Sequence, residues 1–312
     1  MTNRFAKSFA FASIGLGTLC AANSTVANPP VGDWNTPINA EQLPGSSSAI
    51  NSPSIDGCVS LSHDGLELYF TSFRDGSADI FVAERTSVER GFGTPRKLPP
   101  TVNTSANDAC PTIVGPNELH FLRSEGADQG NLFVSRRNSG DWLAAKPFNT
   151  LYNTPALEES VNIFDDEQGR EVVIFSRRNP DGSGGVILQS VAGALPTPVS
   201  GGPNAGGSNN RPWVSRDGLL IAFDSTRPGG QGGPDIWFAE RDSTDEPFGD
   251  AYTLPELNSP GNDLRPAFTR DGTQMFFSSS RAGSESPAPD TWVAIRPRLK
   301  GPKIVDFPPS ED

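Results

Sequence analysis

An all-β fold, a five-bladed β-propeller of four-stranded antiparallel blades, is what this 312-residue chain predicts. Three observations carry the prediction. A hairpin phrase recurs five times, beginning at Asp56, Asp108, Glu158, Asn209 and Asp263, and a period near 50 residues marks propeller blades or a solenoid. The composition is that of short strands joined by tight turns, with 32 Gly, 29 Pro and only two Met. Lastly, the fifth repeat lacks a fourth strand, and Asp33-Trp34-Asn35-Thr36-Pro37, upstream of the first repeat, resembles the missing piece.

Each element follows from its residues. In the first copy Val59 and Leu61 alternate with Cys58, Ser60 and Ser62, Asp64-Gly65 turns the chain, and Leu66 to Thr71 returns as a mostly apolar strand. Asp-Gly favours the primed hairpin turns that match strand twist. A polar loop, Ser72 to Ala78, leads to a third strand at Asp79 to Ala83, and Phe92 to Leu98 supplies a fourth. Third strands recur at Asn131–Val134, Gly185–Leu188, Asp235–Phe238 and Asp290–Val293, and fourth strands at Trp142–Phe148, Leu195–Ser200 and Phe248–Leu254. The N-terminal strand is expected to complete the last blade, which removes exposed edges and ties the chain ends together.

The phrase Arg211-Pro212-Trp213-Val214-Ser215-Arg216-Asp217-Gly218, with Phe223, Ser225, Arg227 and Asp235-Ile236-Trp237, resembles the WD-like β-propeller repeat of the TolB type. The resemblance covers about residues 55 to 298 and is strongest in repeats one, four and five. It implies a propeller, often exported. It transfers no activity, because such repeats serve scaffolds, partner-binding modules and enzyme-attached domains alike.

Residues 1–27 carry Arg4 and Lys7, a small-residue apolar run from Phe9 to Ala22, and Thr25-Val26-Ala27, which reads as a signal peptide cleaved near Ala27. The expected organisation is a leader over 1–27, a propeller over 28–299 and a Pro-rich acidic tail over 300–312, in a periplasmic or secreted protein without membrane insertion. A net charge of −12 repels polyanions and argues against nucleic acid as a partner.

Strand order places the linker entering each inner strand on the same face as the loop between second and third strands. Asp56, Asp108, Glu158 and Asp263 therefore share a face with Arg74, Arg123, Arg178, Arg227 and Arg281, and near-perfect repetition suggests ion pairs built into every blade. Non-repeating residues say more. Where the inner strands begin, the copies offer Cys58, Cys110, Ser160, Arg211 and Arg265, so the channel mouth is lopsided, and two arginines from adjacent blades can grip a small anion. Trp213 stands beside them. Cys58 and Cys110 are open to three readings: a strained disulfide, inert thiols, or a reactive or metal-binding pair.

Two functions compete. One is a binding platform for an envelope protein, a saccharide or a small anion, working through the channel-mouth face. The other is a propeller enzyme, a hydrolase, lyase or isomerase on an anionic small molecule or glycoside. There, Asp56, Asp108 and Glu158 (or Glu159) from successive blades would be the catalytic carboxylates. No cofactor is expected; with His63 and His120 as the whole histidine complement a zinc site is improbable, and Ca2+ would have to use the same carboxylate oxygens.

Overall fold

The computed structural model describes residues 31–125, 130–179, 181, 183–285 and 287–299. The leader (1–27) and the tail (300–312) read from the sequence lie outside these residues. Each hairpin phrase opens one antiparallel sheet, and the five inner strands touch one another in cyclic order around a channel. Blade one comprises Asp56–Leu61, Glu67–Ser72, Asp79–Glu84 and Arg96–Lys97. Blade two comprises Asn107–Val114, Glu118–Ser124, Asn131–Asn138 and Lys146–Pro147, with Asp141–Trp142 folding back on its third strand. Blade three comprises Leu157–Asp165, Glu171–Arg178, Gly185–Val191 and Thr197–Pro198. Blade four comprises Asn209–Val214, Leu220–Ser225, Asp235–Glu240 and Tyr252–Thr253. Blade five comprises Asp263–Phe268, Gln274–Ser279, Asp290–Ile295 and, from the N-terminal side, Ile38–Asn39.

The closing strand is thus present, but displaced. Ile38 and Asn39 pair with Val293 and Trp292, whereas Asp33 to Pro37 only flank the pairing through Asn35 N donating to Ile295 O. Trp34 is a packing residue, with Arg296 4.3 Å over its ring and Phe268 edge-on at 6.0 Å. The turn chemistry also differs from expectation. Gly65 N donates to Ser62 O and Gly65 takes φ +73°, while Asp64 keeps an ordinary φ. The hairpin therefore turns around His63-Asp64 with glycine just after, the three-residue alternative to a primed turn. The Asp64 carboxylate accepts from Ser62 Oγ and Leu66 N, which fixes that geometry.

Apolar side chains form five clusters, each between neighbouring blades. In the second strand of blade one, Leu68 and Phe70 pack towards Phe276 and Val293 of blade five, while Tyr69 between them packs towards Leu119 and Phe121 of blade two. Both faces of a second strand are buried, which is why these segments read as continuous apolar runs.

An asparagine fastens each blade to the linker that leaves it for the next. Asn103 accepts from Ile80 N at 2.8 Å and donates to Ile80 O and Leu98 O. Asn153, Asn204 and Asn258 do the same for Leu132, Ile187 and Ile236, and Asn51 accepts from Thr291 N. Each stands five residues before the first residue of the next hairpin phrase, an invariant spacing.

At the closing seam Asn39 Nδ2 and Glu285 N donate to Asp290 Oδ2, while Oδ1 is buried without a hydrogen-bond partner. Burial, together with the charges of Glu285, Asp56 and Glu41, raises this carboxyl to about 6. A carboxyl raised above its unfolded value favours the folded state while protonated, and that contribution is lost as pH rises through about 6. Asp290→Asn is therefore expected to match the parent near pH 4 and to melt above it at pH 7 to 8. Thermal melts across that range check this; a gap independent of pH would refute it.

Candidate functional site

Every inner strand carries a bulge at the same place. Pairing with the second strand breaks between Gly57 and Ser60, Ala109 and Thr112, Glu159 and Asn162, Asn210 and Trp213, and Leu264 and Ala267. The first residue of each gap, Cys58, Cys110, Ser160, Arg211 or Arg265, is left-handed, with φ between 51° and 61°. Non-glycine residues avoid that region, and an isolated case would suggest stored strain. Five copies instead identify a bulge that belongs to the ring. The next residue is proline in three blades, Pro111, Pro212 and Pro266, which fits a position where the ladder needs no donor.

The bulge amides are caught by the blade before. Cys58 N donates to Ser278 Oγ (2.7 Å), Cys110 N to Thr71 Oγ1 (2.8 Å), Arg211 N to Ser176 Oγ (3.1 Å) and Arg265 N to Asp224 Oδ1 (3.3 Å). Leu122 holds the corresponding acceptor position behind Ser160 and offers no oxygen there. Asp224 thus replaces a hydroxyl with a carboxylate, and that extra charge needs a counterion.

Arg211 supplies it. Its Nε and Nη2 each lie 2.7 Å from the two Asp224 oxygens, a bidentate fork. Glu159, in the place held elsewhere by Gly57, Ala109, Asn210 and Leu264, is the second buried acid. Arg178 Nη2 lies 2.9 Å from its Oε1, Arg211 Nη1 lies 3.9 Å away, and Arg265 Nη2 bonds its Oε2 from a non-adjacent blade. Cys110 Sγ stands 3.6 Å from the same Oε2. Glu159 is therefore a hub joining blades two to five across the channel. Both acids are fully buried. Burial pushes the Asp224 carboxyl up, against the pull of Arg211. Burial also disfavours charge on Arg211, yet Asp224 and Glu159 outweigh it and hold the guanidinium above its ordinary value.

Asp56, Asp108 and Glu158 lie elsewhere. All are fully buried and occupied within their own blades. Asp56 takes Arg74 at 2.7 Å and Ser52 Oγ at 2.5 Å; Asp108 takes Arg123 at 2.6 Å and Thr104 at 2.7 and 2.9 Å. Glu158 takes Arg177 at 2.8 Å and Thr154, and burial raises its carboxyl although these partners oppose the shift. Asp263 with Arg281 at 2.7 Å, and Asn209 with Arg227 at 2.8 Å, complete the set. The expected ring of pairs exists with one correction: blade three uses Arg177, because Glu158 lies in register with it, and Arg178 turns to Glu159 instead.

At the mouth, Cys58, Ser160, Arg211, Trp213 and Arg265 line one cavity with Asn162, whose volume is about 30 Å3. Asn162 Nδ2 donates to Pro212 O at 2.7 Å, and Trp213 packs on Phe268 with ring centres 4.4 Å apart. Both cysteines are free thiols, and burial beside Glu159 pushes Cys110 well above the ordinary thiol range. Among the described residues no group of three or more His, Cys, Asp or Glu side chains is placed to hold a metal ion. Asp224 is the member of this site that sequence reasoning missed, and Arg178 is the one it assigned to the repeated ion pairs instead. Their signal was a lone acid where other second strands carry Thr71, Leu122, Ser176 and Ser278, and a doubled arginine found in repeat three.

No family model matches the chain, and no curated protein matches it. Solved structures do. An α-L-arabinofuranosidase of Podospora anserina, determined with cellotriose, aligns over 86% of this chain and 98% of its own at 12% identity and a TM-score of 0.53. The likeness is one of fold. The arabinanase of Bacillus subtilis aligns over 78% and 94% at 12% identity and a TM-score of 0.52. TolB of Acinetobacter baumannii aligns over 85% of this chain and 63% of its own, at 13% identity and a TM-score of 0.48. No helix among the described residues is long and apolar enough to cross a membrane.

Proposed function

We propose that this protein is an exported binding platform that engages a partner through the rim of its channel mouth and performs no chemistry in the channel. The observation that supports this reading is the plugging of the channel. Glu159 and Asp224, the acids nearest the mouth cavity, have no exposed surface and sit on guanidiniums. The cavity beside them is about 30 Å3, whereas sites that enclose small organic ligands run to roughly 300 Å3 or more. A glycosidase needs two carboxylates open to one sugar bond. The carboxylates placed here are committed to holding the ring.

The rim has the makings of a contact surface. Trp213, Thr112 and Asn162 are half-buried around the mouth beside Pro111, Pro212 and Pro266, an aromatic anchor among smaller groups, which suits a protein segment. The leader sequence supports an envelope or secreted setting.

Two measurements test the reading. Linear arabinan and aryl α-L-arabinofuranosides, incubated with the protein, are expected to stay intact; release of sugar that disappears in Asp224→Asn would overturn it. Peptides selected on the protein are expected to bind Trp213→Ala at least tenfold more weakly, and Leu195→Ala, exposed on the loop between the third and fourth strands of blade three, unchanged. Binders indifferent to Trp213 would move the working surface away from the mouth.

A further inference from the structure

The buried network at the channel centre does not balance. Among the described residues three guanidiniums, Arg178, Arg211 and Arg265, face two carboxylates, Glu159 and Asp224. The remaining acids of the inner strands, Asp56, Asp108, Glu158 and Asp263, are occupied by their own arginines. One positive charge is left over where water is largely excluded. The donors agree with that count: Arg265 Nη1 and Arg178 Nε are buried and have no hydrogen-bond partner. Arg265 and Arg211 both line the mouth cavity. Buried charges are ordinarily paired, because an unpaired one costs several kcal/mol.

We propose that the cavity binds one monatomic anion of the halide class, held by Arg265 and supported by Arg211 and Arg178. Size selects the class. One water needs about 10–15 Å3 of such space, so about 30 Å3 takes a chloride or bromide ion with a companion water, whereas a sulfate with its four oxygens exceeds it. Two other lining groups suit an anion: Ser160 offers a hydroxyl hydrogen and Cys58 a thiol. The site stands independently of whether the rim takes a partner.

The experiment is a bromide soak with anomalous diffraction, paired with thermal melts in bromide or chloride against gluconate at constant ionic strength. An anomalous peak in the cavity on Arg265 Nη1 is expected, with a saturable rise in Tm on the order of 5 °C in halide. Arg178→Gln, at the outer edge of the network, is expected to weaken the halide response at least fivefold while the protein stays folded. A cavity holding only water, bromide confined to the outer surface, or a melt insensitive to the anion would each overturn the proposal.

Discussion

Deleting residues 31–45 is expected to abolish the cooperative thermal transition and leave a chain that aggregates. Ile38–Asn39 is the outer strand of blade five, so its loss bares the backbone edge of Asp290–Ile295, a template for pairing with other chains. The same segment carries Trp34, Ala40 and Leu43, buried in the clusters on both sides of blade five, and Asn39, which bonds Asn51 and Asp290. Each large buried side chain removed costs about 2 to 5 kcal/mol, and domains are stable by only about 5 to 15 kcal/mol in total. Circular dichroism melts with light scattering decide the matter. A truncated chain that stays monomeric and melts within two or three degrees of the full one would mean that the ring closes without its outer strand.

Glu159→Ala should be the most damaging single substitution in the channel. It removes the only carboxylate that the guanidiniums of Arg178 and Arg265 pair with among the described residues, and leaves their charges buried without a counterion. Breaking a buried pair on one side costs about 3 to 5 kcal/mol, which for a chain of this size lowers Tm by roughly 6 to 20 °C. The double variant Glu159→Leu with Arg265→Leu should recover most of that loss, since exchanging both partners for apolar groups is often neutral. Urea melts of the single and double variants give the coupling directly. If Glu159→Ala costs less than about 1 kcal/mol, solvent reaches the network and the channel is open, against the platform reading.

The blade repeat was legible because its signals are local. Period, turn residues and strand hydrophobicity placed every third strand at its observed first residue, Asp79, Asn131, Gly185, Asp235 and Asp290. The closing strand was read five residues early, because Trp34 looks like a strand residue and works as a packing residue beside Arg296. The channel centre was half legible. Arg211 and Arg265 stood out as departures from the repeat, but what they hold depends on contacts between blades that no spacing reveals: Arg265 and Glu159 are 106 residues apart. The asparagine clasps did have a local signal, the constant five-residue interval, in a linker that otherwise reads as featureless.

The left-handed bulges carry a consequence for how such a ring can change. At these five positions the backbone is held by its hydrogen-bonded neighbours, so the side chain is free of the duty of defining the fold. Cys, Cys, Ser, Arg and Arg occupy geometrically equivalent sockets of one chain. The wall behaves as a plugboard, on which charge, thiol or hydroxyl can be exchanged from blade to blade while the scaffold persists. New recognition chemistry can then arise by single replacements, without an insertion, a new loop or a rebuilt core.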